Sequence, residues 1–139
     1  MTNRTHKFWL KITAVLIILY AILFFLGTLK QTDKVIEFVL DVSSYPIDGL
    51  QNYETNSTVF LSALLGGILF GWGILIWFLS LKIYDIAPEQ TRKIVLISLI
   101  SWFLIDSVGS ILSKNPNNAI ANVFLLFVLV GPLWKPSKG

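Results

Sequence analysis

The chain has no cysteine and one histidine, His6, and only 14% of its 139 residues are charged. Without cysteine there can be no disulfide, thiol redox centre, iron–sulfur cluster or cysteine-bound zinc. His6 lies in a polar N-terminal stretch, so no apolar segment offers an imidazole to haem or to a histidine-based metal site. A soluble domain carries about 25% charged residues; this chain has too few to cover a water-exposed surface. The net charge is +3, but the basic residues are scattered at the ends of apolar runs and form no patch, so no nucleic-acid partner is expected. No cofactor and no metal are expected.

What the chain has instead is apolar length. Hydrophobic residues make up 55% of it and the mean hydropathy is +0.72. Four apolar runs stand out, at residues 12–29, 59–81, 94–112 and 119–134. A bilayer needs about 20 such residues per helix, and only the fourth run is clearly short. The expectation is an all-α integral membrane protein with one domain. Four transmembrane helices would form an antiparallel bundle, with a short amphipathic segment in the first outer loop.

The first run follows a basic start, MTNRTHKFWLK, as a secretory signal would. However, it is longer than a signal core of roughly 7–15 residues and no small-x-small cleavage site follows, so it reads as a retained first helix. Within it Thr13–Ala14, Tyr20–Ala21 and Gly27–Thr28 recur every seven residues, which suits a seam against a neighbouring helix. Residues 33–42, DKVIEFVLDV, space Lys34, Glu37 and Asp41 as an amphipathic helix at a membrane surface would. Pro46 ends that segment, and Ile47-Asp48-Gly49 reads as a turn. The second run holds Gly66, Gly67, Gly71 and Gly73. Ala63, Gly67 and Gly71 form a row of small residues for helix packing, and Ser62, Gly66, Phe70, Gly73, Trp77 and Ser80 lie on an adjoining face. Pro88 is placed to open the helix of the third run. SKNPNN, residues 113–118, reads as the turn before the fourth.

Asp106 sits well inside the third run. A carboxylate there costs roughly 2.5–3.5 kcal/mol on insertion scales, so it is expected to face the bundle interior with polar partners. At about 100° per residue, Ser98, Trp102, Asp106, Gly109 and Ser113 share a face, flanked by Ser101 and Ser110. Asp106 precedes Leu112 by six residues, about 9 Å along a helix. Asn122, the one amide inside the fourth run, is the expected partner, with Gly66 of the second run leaving room for it. Asp106, Asn122, Ser62, Tyr20 and Trp102 together make the candidate intramembrane polar site. Three readings compete for Asp106: a hydrogen-bonded packing residue, a group that handles protons or a ligand, or an exposed position at a shortened helix end.

The pattern YPIDG (45–49), ETNSTVFLSALLGGILFGWGILIW (54–77) and RKIVLISLISWFLIDSVGSI (92–111) resembles small uncharacterised bacterial four-helix membrane proteins. The wider architecture is similar to the DoxX-like group, some of whose members are linked to quinone-dependent sulfur oxidation. The resemblance implies a four-helix fold in the bacterial inner membrane. It carries over no catalytic residue, because none of that chemistry maps onto this sequence.

Three functions are consistent with these features. The first is a non-enzymatic accessory or assembly partner, in a homo-oligomer or with a partner membrane subunit. The second is a small transporter or proton-coupled channel built on Asp106. The third is a quinone- or lipid-handling membrane enzyme. With the N-terminus in the cytoplasm, Arg4, Lys7, Lys11, Lys82, Arg92, Lys93, Lys135 and Lys138 fall on that side, against Lys30, Lys34 and Lys114 on the other. The positive-inside rule therefore puts both termini in the cytoplasm. A reporter fused after Gly139 should report cytoplasm and one inserted at Asp48 the opposite side; both on one side would exclude this topology.

Overall fold

The computed structural model describes residues 2–29, 31–44, 46–49 and 55–136; Lys30, Tyr45 and Lys138, used in the reading above, lie outside the described residues. The first helix, α1, spans Asn3–Leu26, and α2 spans Asp33–Ser43. The α3 helix, Asn56–Phe78, runs on through a π-helical turn, Leu79–Ile83. Next come α4, Pro88–Leu112, and α5, Pro116–Val130, the latter closed by a 3₁₀ turn, Gly131–Trp134. Among the described residues, α1, α3 with its π turn, α4, and α5 with its 3₁₀ turn are long and apolar enough to cross a membrane.

Each long helix starts before its apolar run, because caps and prolines set helix starts and hydrophobicity does not. The Thr2 and Thr55 side chains accept hydrogen bonds from the backbone of Thr5 and Thr58, satisfying first-turn amides of α1 and α3. Pro88 opens α4 as its position predicts, and Pro116 does the same for α5. The 113–118 segment is therefore only partly a turn. Lys114 makes the reversal with φ 64°, and the helix resumes two residues later.

The tightest contact is between α1 and α3. A Cβ on Gly66 would stand 3.1 Å from the Ala21 carbonyl oxygen, and one on Gly73 would stand 3.1 Å from that of Ala14 and 2.6 Å from Ile18 Cγ1. Small residues seven apart on each helix thus meet, with numbering that runs in opposite directions along the seam. Thr13, Ala14, Ala21 and Gly27 of the α1 repeat are all buried. The row of Ala63, Gly67 and Gly71 points outward, with open space around the two glycines. The seam face of α3 is Ser62, Gly66, Leu69, Gly73 and Ile76.

The α4 and α5 helices form a second pair. Around the chain termini the two pairs are stitched together by side chains that donate to the carbonyls ending α5. Pro132 has no N–H, so the Val128 carbonyl loses its usual helical donor. Trp9 Nε1 reaches that oxygen at 3.2 Å instead. Thr13 Oγ1 donates to Leu129 O at 2.8 Å, His6 Nε2 to Pro132 O at 3.1 Å, and Arg92 Nη1 to Leu133 O at 2.5 Å. Glu89 grips the rest of the buried Arg92 fork, at 2.8 Å to Nε and 2.5 Å to Nη2. Gly131 completes this corner. Its φ is +41°, and a Cβ on it would overlap the Trp9 ring.

At the other end α2 packs on both α1 and α5. Ile36 is its buried anchor, and Asn117 Nδ2 donates to the Ser44 carbonyl at 2.6 Å. The α1–α3 seam gives a direct test. Gly73→Leu would push the helix backbones apart and should destabilise by about 1–3 kcal/mol, the usual cost of overpacking. Gly67→Leu should leave the melting temperature in detergent unchanged. Equal losses would show that the seam lies elsewhere.

Candidate functional site

The polar face of α4 ends in a cluster at the α2 end of the molecule. Asp106 is half-buried there. Its Oδ1 accepts from Asn118 Nδ2 at 3.3 Å. The same amide donates to Ser110 Oγ at 2.8 Å, and that hydroxyl donates to the Asp106 backbone carbonyl at 2.7 Å and lies 3.3 Å from Oδ1. The other carboxylate oxygen, Oδ2, has no hydrogen bond among the described residues. The short Ser113–Asn115 turn is tied back as well, with Asn115 N donating to Ser110 O at 2.8 Å.

The sequence led to Asn122 as the partner of Asp106; the structure gives that place to Asn118, one turn earlier. Asn122 is buried at 2% exposure, and its Nδ2 lies 3.4 Å from Ser107 Oγ. The reason is the start of α5. With Pro116 as its first residue, Asn118 is already helical and faces α4, a position the proline itself signals. Gly66 leaves room for α1 rather than for Asn122. Ser62 is buried in the α1–α3 seam and is not part of the polar cluster.

Tyr20 and Trp102 do join Asp106, on the wall of a cavity between the two helix pairs. Its volume is about 680 Å³, within the usual range for small-molecule sites, about 300–1,000 Å³. Its body is apolar, built from residues such as Leu16, Leu23, Leu65, Leu69, Leu125 and Val128. Its polar end is the Asp106–Ser110–Asn118 cluster, with Ser43 and Ser44 of α2 beside it. Two tryptophans stand on the wall: Trp72 and Trp102 lie with ring centroids 6.3 Å apart, and Trp72 Nε1 donates to Ser98 Oγ at 3.1 Å, tying α3 to α4. Tyr20 stacks edge-on to Phe24 at 5.0 Å, and its hydroxyl has no hydrogen-bond partner among the described residues. Chemically, such a space suits a molecule with an apolar body and one hydrogen-bonding end.

A second polar group lies at the terminal end, and the sequence reading missed it. His6 was expected in a polar tail, but it is fully buried, because α1 begins at Asn3 and carries it under the 3₁₀ turn. A carbonyl can only accept, so Nε2 must carry the ring proton, and Nδ1 is buried without a partner among the described residues. The Tyr84 hydroxyl is likewise buried and unpartnered. Outside them, Lys7 pairs with Asp85 at 2.5 Å, and Lys11 sits 5.9 Å from the centre of the Trp77 ring. Among the described residues no three His, Cys, Asp or Glu side chains converge as a metal site would require.

Comparison with known proteins adds no homology to this geometry: the chain matches no family model, no curated protein and no solved structure.

Proposed function

We propose that this is a multi-pass protein of the bacterial inner membrane that holds an amphipathic small molecule between its two helix pairs. In this reading the four long helices cross the bilayer as an antiparallel bundle with cytoplasmic termini. The observation that carries it is the cavity, apolar along its length and polar at one end, with Asp106 at that polar end. The cost of an acid at membrane depth is easier to understand if a ligand shares its hydrogen bonds. The four donors that stitch the terminal end favour a holding site over an open pore, since they occupy the place where a pore would have to continue. Quinone- or lipid-like molecules belong to the class that such a space accepts.

The accessory or assembly role has one observation in its favour. The row of Ala63, Gly67 and Gly71 meets no helix of this chain and would let a second copy or a partner subunit approach closely.

The holding site is tested by fluorescence. A brominated long-chain alcohol titrated into the protein in lipid nanodiscs should quench tryptophan emission saturably. The double variant Trp72→Phe/Trp102→Phe should lose the saturable part. Quenching that rises linearly, and equally in the double variant, would mean simple partitioning into the bilayer and would rule the site out.

A further inference from the structure

Resting on that reading, we infer that the preferred occupant of the cavity is a lipophilic cation: a compact apolar body with a delocalised or amine positive charge. Four features point to this class. The cavity wall holds one acid, Asp106, and among the described residues that line it there is no lysine, arginine or histidine. An anionic head such as a phosphate would meet a carboxylate with nothing to balance it, which in a low-dielectric site is strongly unfavourable.

The carboxylate is also held ready. Asn118 and Ser110 fix Oδ1, while Oδ2 has no partner among the described residues. A cation beside Oδ2 would complete the charge pair that a half-buried acid lacks.

The aromatic wall fits the same ligand. Trp102 is four residues, or one helical turn, before Asp106 on the same face of α4, and Trp72 stands across from it at 6.3 Å between ring centroids. Tyr20 lines the cavity as well. Aromatic faces attract a desolvated cation, most strongly for tryptophan. A neutral amphiphile would use the apolar walls equally well and could donate a hydrogen bond to the acid, but it would form neither the charge pair with Asp106 nor the attraction to the rings.

Finally, the apolar lining removes water from around the charge, which selects for cations whose charge is spread over bulky groups and which shed hydration at little cost. Compact, strongly hydrated ions are disfavoured.

The test compares two probes of nearly one shape: methyltriphenylphosphonium, a cation, and triphenylphosphine oxide, which is neutral. Both are titrated by calorimetry into the full chain in zwitterionic detergent. The cation is expected to bind about tenfold or more tightly than the oxide. Asp106→Asn should bring that ratio close to one, and Asp106→Glu should restore most of it. Equal affinities in the unmodified chain would overturn the cation assignment while leaving the amphiphile site standing, because the oxide would still saturate. Saturation by neither probe, together with linear quenching by the brominated alcohol, would remove both. Should Asp106→Asn fail to fold, the ratio in the unmodified chain decides alone.

Discussion

Trp9, Thr13, His6 and Arg92 all deliver their donor groups to one short stretch of backbone, the carbonyls of residues 128, 129, 132 and 133. Carbonyls at a helix end have no intrahelical partner, and Pro132 removes one more donor just there. Buried away from water, each unsatisfied backbone group costs about as much as a lost hydrogen bond, so the fold must bring side chains to them. Trp9, Thr13 and His6 come from α1, in the other helix pair, and Arg92 from α4, beside α5 in its own. Satisfying the end of α5 therefore fastens the two pairs to each other.

This fastening lies near the termini; farther along, Trp72 of α3 donates to Ser98 of α4, and α2 packs on both α1 and α5. Near the termini the interior is filled by Leu10, Tyr84, Val95 and Leu133, all fully or almost fully buried. Toward α2 the close seams lie within each pair: Gly66 and Gly73 hold α3 to α1, and Asn118 holds α5 to α4 through Asp106 and Ser110. The cavity lies between the pairs, and α2 contributes Val39, Leu40, Ser43 and Ser44 to its wall. Asp106 thus has a double part. It closes the α4–α5 pair with one oxygen and also lines the space between the pairs.

Much of this could be read from residues alone. Four apolar runs gave four long helices, and the seven-residue repeat of Thr13–Ala14 and Tyr20–Ala21 lies on the buried side of α1, because small residues at that spacing admit a close neighbour. The face of Trp102 and Asp106 turns to the cavity, as the cost of leaving an acid among apolar groups requires. Three things were not legible. The choice between the two glycine faces of α3 depends on which one meets α1, and both carry small residues at helical spacing. The partner of Asp106 turned on where α5 starts, and apolar content misplaces that start by three residues: the run begins at 119 and the helix at Pro116. His6 was misread for the same reason, since a polar residue before an apolar run looks exposed until helix α1 is extended back to Asn3.

The account stands or falls on whether there is reachable space between the helix pairs. The absence of cysteine makes this measurable with single thiols. Asn122 and Ser62 are both buried, but Asn122 lies on the cavity wall and Ser62 in the α1–α3 seam. Asn122→Cys and Ser62→Cys would be reacted separately with a small membrane-permeant maleimide in liposomes, and the labelled fraction followed by mass spectrometry. The cavity requires the thiol at 122 to label while the thiol at 62 stays protected; equal protection of both would mean that the helix pairs are closed against each other and that no site exists between them.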